Sequence, residues 1–122
     1  AFTEEPDLAI ERLIDAIPTN FRADWALAVT PDGEGAAFLF GSPAAPRIVP
    51  DCDSWLKITE AGPLPEVSEW NSTVLAGCPG RTRGGLEFTL AVGRHGGPEF
   101  LPSEIARISH MVSLAASVQS DD

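Results

Sequence analysis

Along residues 8–21, apolar side chains return at Ile10, Leu13, Ile14, Ile17 and Phe21, with Glu11, Arg12 and Asp15 between them. That spacing predicts an amphipathic helix. Thr3, followed by Glu4, Glu5 and Asp7, supplies an N-cap and acidic groups for the positive end of the helix dipole, and Pro18 is expected to limit the far end. The period then changes to two. Trp25, Leu27 and Val29 alternate with the small Ala26 and Ala28, which predicts a strand with its bulky face buried. Pro31-Asp32-Gly33-Glu34-Gly35 reads as a turn and Ala37-Phe38-Leu39-Phe40 as a second strand, so 25–40 is a predicted β-hairpin.

The middle of the chain is the least regular part. Small and cyclic residues recur from Gly41 to Pro50, interrupted by Arg47-Ile48-Val49, a candidate short strand. Ser54 to Ala61 reads as a two-turn helix with Trp55, Leu56 and Ile58 turned inward, closed by Gly62 at C′ and Pro63 after it. Residues 63–72 read as loop. Regularity returns with the strand Thr73-Val74-Leu75-Ala76, a turn over Pro79 to Gly85, and a strand in which Leu86, Phe88, Leu90 and Val92 alternate with Glu87, Thr89 and Ala91. After Pro102-Ser103-Glu104, Ile105, Ile108, Met111 or Val112, and Ala115 recur at helical spacing.

This order predicts an α+β domain: a central antiparallel β-sheet of about five to six strands, with the N- and C-terminal helices packed on one face. Its expected core includes Leu27, Val29, Phe38, Phe40, Leu75, Phe88, Leu90 and Val92. A parallel doubly wound fold is disfavoured because helices and strands do not alternate. The apolar stripes of the two terminal helices need cover, and Ile10, Ile14, Ile108 and Val112 are the residues expected to give a homodimer surface.

Composition narrows the class further. The 122 residues are 43% hydrophobic and 21% charged, the make-up of one globular domain with no run long enough to span a bilayer. The net charge of −10 repels phosphate backbones and anionic lipid, so neither nucleic acid nor a membrane is an expected partner. Two cysteines, Cys52 and Cys78, are too few for a disulfide scaffold, which favours a reducing cytoplasm. Seven arginines against one lysine, with abundant alanine, suggest a bacterial chain of high-GC origin. Ala1 at the start and Ser120-Asp121-Asp122 at the end suggest that 1–122 is a single domain excised from a longer protein.

No catalytic signature stands out. Cys52 lies between Asp51 and Asp53, whose charges disfavour a thiolate, and Cys78, nearer to Arg81 and Arg83, has no sequence-near base. His95, in a glycine turn, and His110, on the last helix, lack any paired Cys/His spacing, so no metal is expected. Asn71-Ser72-Thr73 is a glycosylation triplet without meaning in a cytosolic chain, and Gly84-Gly85 beside the two arginines lacks the strand-to-helix setting of a phosphate loop. Trp55 and Trp70 fall in the irregular middle, where they either line a cavity or fill it.

The pattern resembles the GAF domain family, the small-molecule-sensing modules of bacterial regulators. The residues that carry the resemblance are Thr73 to Ala76, a basic glycine turn, Gly85 to Arg94, and Pro98-Glu99-Phe100 leading into a helix from Pro102. Trp55-Leu56 through Gly62-Pro63-Leu64 is similar to the family's short helix and following strand, and Ala23-Asp24-Trp25 to its step from first helix to first strand. The resemblance covers nearly the whole chain and implies a GAF/PAS-like fold. It also implies a non-catalytic sensory or regulatory role in a cytoplasmic signalling or transcription-control protein, with ligand-binding residues Phe40, Trp55, Trp70 and Val74 between the sheet and the segment 40–74. No cofactor is expected, since neither the cyclic-nucleotide signature nor a bilin-attachment segment is present. Arg47 and Lys57 are the only cations of that segment, so the expected ligand is small and neutral or apolar. Two alternatives stay open: a ligand-free dimerisation module, and an enzyme like the free-methionine-R-sulfoxide reductases.

Overall fold

The computed structural model describes residues 9–33, 35–46, 52–65, 73–82 and 84–118. In chain order these form α1 (Ala9–Phe21), β1 (Trp25–Asp32), β2 (Gly35–Gly41), a 3-10 helix (Cys52–Lys57), β3 (Gly62–Leu64), β4 (Thr73–Arg81), β5 (Glu87–His95) and α2 (Pro102–Val118). The five strands make one sheet in the order β2-β1-β5-β4-β3, with every neighbouring pair antiparallel. The α+β architecture read from the sequence is therefore the one observed. Thr3, the expected N-cap, and the candidate strand Arg47-Ile48-Val49 lie outside the described residues.

Size complementarity across the central pair sets the thickness of the sheet. In register, Ala26 faces Val92 and Ala28 faces Leu90 on one side, while Trp25 faces Gly93, Leu27 faces Ala91 and Val29 faces Thr89 on the other. The first side packs with Phe88, Ala76 and Cys78 against the apolar stripes of α1 and α2. The second packs with Leu75, Leu64, Ala45 and Trp55 into a separate cluster. Both faces of β1 are thus buried, not only the bulky one, because the small alanines are what lets the helices approach.

Several local expectations are corrected. Helix α1 continues through Pro18 to Phe21. The proline removes one intrahelical bond, but the final turn is kept by a C-cap in which Arg22 takes φ 53° and the Ala23 N–H donates to the Pro18 carbonyl at 3.0 Å. The segment 54–61 is not a two-turn helix: the 3-10 helix ends at Lys57, and Gly62 opens the edge strand β3, where glycine and proline are tolerated. Strand β4 runs on through Pro79-Gly80-Arg81, which pair with Thr89, Phe88 and Glu87. Pro79 lies beyond the reach of β3, so its missing N–H deprives no ladder there, and Gly80 makes room for the Phe88 ring, which a Cβ would meet at 2.4 Å.

Leu39 is a bulge between the partners of Ala28 and Val29, and it sends Phe38 and Phe40 to opposite faces, each half-buried rather than central. The expected dimer residues Ile10, Ile14, Ile108 and Val112 are 1%, 0%, 2% and 1% exposed. They belong to the helix-to-sheet core of a single chain and offer no surface to a partner.

Phe88→Ala is expected to cost about 3–5 kcal/mol in denaturant titration, as a fully packed aromatic truncation does. Gly93→Ala, whose Cβ would meet the Trp25 ring at 2.3 Å, should cost about 1–3 kcal/mol by overpacking. A neutral result for the glycine change would show that Trp25 does not lie on the strand.

Candidate functional site

The face of the sheet opposite the helices is the candidate site, and it is closed at its centre. Trp55, 1% exposed, sits on Trp25, Leu27, Val29, Leu75 and Ala91, so it fills the space it was expected to wall. Its carbonyl accepts a buried hydrogen bond from Thr89 Oγ1 at 2.9 Å, which fastens the 3-10 helix to the middle of β5. Ser42 fixes the exit of β2 to β1 in the same way: its Oγ accepts from the Ala26 N–H at 3.0 Å and its own N–H donates to the Ala26 carbonyl at 2.8 Å. Among the described residues no buried side-chain polar atom lacks a partner.

Space remains at the end of this layer nearest the β4–β5 turn. An open groove of about 520 Å³ runs past Leu56, Ile58, Pro31, Pro79 and Thr89, reaches Arg81 and Glu87, and turns round the end of the sheet to Phe88 and to Ser113 on α2. Arg81 and Glu87 oppose each other in register, so the groove's two charges offset one another. A smaller hollow of about 190 Å³ lies between Leu64, Val74 and Phe100.

The four residues expected to bind ligand do not converge. Trp55 is on the candidate face, whereas Phe40 and Val74 are half-buried against the helix-side cluster, and Trp70 lies outside the described residues. The groove residues Leu56 and Ile58 carry the same signal that singled out Trp55, the apolar positions of 54–61. Pro79 joins the site because β4 extends past its expected end, while Thr89 lies on the strand expected for it.

The titratable groups are scattered. Among the described residues no three of His, Cys, Asp and Glu come together as a metal site, and His95 and His110 are exposed on separate elements. Cys78 faces the helices, and burial pushes its thiol upward while a hydrogen bond with Ser109 pulls the other way. Nothing is described of the Cys52 side chain. A polar cluster surrounds Arg94, a buried cation at the end of β5 beside a hollow of about 500 Å³. Among the described residues no helix is long and apolar enough to cross a membrane.

An open five-stranded antiparallel sheet with order 2-1-5-4-3, both terminal helices on one face and an irregular segment on the other, matches solved structures over almost its whole length. The chain has a GAF-like fold. It superposes on the GAF domain/HD domain protein from Geobacter sulfurreducens with a TM-score of 0.69 at 19% identity, covering 93% of this chain and 91% of that one. The PixJ GAF domain from Thermosynechococcus elongatus, in its blue-light-absorbing form, gives 0.68 at 12% identity over 93% and 83% of the two chains. NreA from Staphylococcus aureus, mutated in its nitrate-binding site, gives 0.60 at 14% identity over 88% and 98%. No family model and no curated protein matches the sequence. In this GAF-like frame the Trp55 cluster occupies the layer that the terminal helices leave uncovered, and the open groove runs from that layer round the end of the sheet to Ser113 of α2.

With its thiol raised by burial, Cys78 is expected to be inert. In a Cys52→Ser background at neutral pH, an aromatic disulfide reagent should label native protein at least about tenfold more slowly than unfolded protein. Equal rates would mean that β4 and α2 do not enclose the sulfur.

Proposed function

We propose that this domain is a non-catalytic sensory module of a cytoplasmic bacterial signalling or transcription-control protein, and that it takes a small neutral or apolar ligand in the layer opposite its terminal helices. The observation that carries the reading is the groove beside Trp55: Leu56, Ile58, Pro31 and Pro79 give it apolar contacts, Thr89 and Ser113 neutral polar ones, and Arg81 with Glu87 opposed charges that leave no net charge. A phosphate-rich ligand would find its one arginine already opposed by a carboxylate. Trp55 is the reporter of that layer, and Trp70 the further aromatic expected from the sequence. The GAF-like fold supports the reading by analogy, since proteins of this shape include one with a nitrate-binding site and one that absorbs blue light.

A second reading rests on a different surface. Leu114, 48% exposed, continues the line of Arg107, His110 and Met111 along the outward side of α2, where a shallow apolar depression of about 420 Å³ lies against Ala106, Arg107, His110 and Met111. A homodimer through the terminal helices would use this stripe in place of the buried isoleucines and valine. The sulfoxide-reductase alternative is weakened at Cys78, whose buried thiol disfavours the nucleophilic thiolate.

A chemically diverse apolar library should contain a compound that raises the melting temperature and shifts tryptophan emission, with both responses lost in Ile58→Glu. Sedimentation equilibrium of wild type and Leu114→Glu tests the other surface: a dimer that the variant converts to monomer supports it. No response from the library, together with such a dimer, would transfer the assignment to the dimerisation module.

A further inference from the structure

Arg94 connects both ends of the domain. Its side chain is 8% exposed. Nε donates to the Arg22 carbonyl at 3.3 Å and Nη2 to the Phe21 carbonyl, which takes up the C-terminal turn of α1. Nη1 donates to the Pro98 carbonyl and Nη2 also to Glu104 Oε2, both at 2.9 Å, and the Phe100 ring lies 4.1 Å from the guanidinium carbon. The other Glu104 oxygen accepts the Leu101 N–H at 2.8 Å, and the Ile105 N–H donates to the Leu101 carbonyl at 3.0 Å, so Glu104 closes the first turn of α2.

The two halves of this arrangement differ in kind. Towards α1 the acceptors are neutral carbonyls, one of them on the buried Phe21. Towards α2 the acceptor is a carboxylate whose side chain is 21% exposed at the rim of the 500 Å³ hollow. We propose that Arg94 is a latch with one fixed and one releasable end: it holds the last turn of α1 to β5 at all times, and frees the first turn of α2 whenever Glu104 loses its charge or its place.

The charges facing Glu104 define when that happens. Arg94 faces it from β5 and Arg107 from its own helix, and the Arg94 hydrogen bond, aided by the Leu101 N–H, holds its carboxyl below the ordinary 4.5. Around the hollow stand Arg22 and Asp24 from the α1–β1 connection, His95 from the end of β5 and Glu99 from the β5–α2 connection. Asp24 is engaged by the His95 backbone N–H. A depressed folded pKa means that the latch is complete above 4.5 and opens as pH falls through the lower folded value.

Amide exchange of the full 122-residue chain tests the latch without any ligand, so its outcome is separable from that of the sensory reading. In Glu104→Gln at neutral pH the Leu101 and Ile105 amides should exchange roughly tenfold faster, the scale of one charge-assisted hydrogen bond. The Ala23 amide, in the cap of α1, should stay within about twofold of wild type, since the fixed end is untouched. In wild type the protection of Ile105 should fall as pH drops below 4.5, and that fall should vanish in Glu104→Gln. Arg94→Met should loosen both ends, and if it does not fold the glutamine variant still decides. Unchanged exchange at Leu101 and Ile105, or equal acceleration at Ala23, would overturn the proposal.

Discussion

The constraint on which the rest of this molecule depends is that β5 and its neighbour β1 are buried on both faces. A strand with two buried faces must carry apolar or internally satisfied side chains on each, yet two large residues opposite one another on both sides would thicken the sheet unevenly. The chain solves this by inversion. Where β5 is large, at Leu90 and Val92, β1 is alanine, and where β1 is large, at Trp25 and Leu27, β5 is glycine or alanine. Each face is then level, and each demands its own cover: two helices for one, Trp55 and its short helix for the other.

Arg94 is the next helix-side residue of β5 after Val92, and it lies where the sheet ends and the helices turn. Burying a guanidinium is costly unless its donors are matched. Four bonds and an aromatic face match them here: the Phe21 and Arg22 carbonyls that the end of α1 would otherwise leave short of partners, the Pro98 carbonyl of the β5–α2 connection, and the carboxylate of Glu104. One desolvated cation therefore caps the end of α1 and, through Glu104, holds the start of α2, and Arg107 stacked 4.9 Å from the Phe21 ring adds a second tie between the same two helices.

Much of this was legible in the sequence because it is periodic. The spacing of Ile10 to Phe21, the alternation from Trp25 to Val29 and that from Phe88 to Val92 each named an element and its buried residues. What escaped was set by neighbours rather than by local pattern. Proline and glycine at 79–80 signal a turn unless an open edge removes the need for the N–H and a phenylalanine ring needs the missing Cβ. The faces of Phe40 and Val74 depend on the Leu39 bulge and on which layer each strand turns to, and neither is a property of the residues alone. Ile10, Ile14, Ile108 and Val112 are correctly apolar and helical, but whether such a stripe meets a sheet or a second chain is decided only by whether the sheet has alanines to receive it.

The inversion also fixes how the two layers are related. Trp25 lies on Gly93 from one face, and the residue after Gly93 is Arg94, which grips both helices from the other. A ligand can alter the helices only to the extent that it binds two arrangements with different affinity, and a tenfold preference corresponds to about 1.4 kcal/mol. The groove touches β5 at Glu87, Phe88 and Thr89, the Thr89 hydroxyl holds the Trp55 carbonyl, and Trp55 packs in the same cluster as Trp25. On the proposed reading, binding that shifts Trp55 therefore presses on the strand one residue from the latch, whereas binding confined to Leu56 and Ile58 leaves β5 unmoved. The Thr89→Val variant separates these cases. It keeps the shape of the wall and removes the bond, so a ligand that acts through Trp55 should still bind while ceasing to change the exchange of the Ile105 amide.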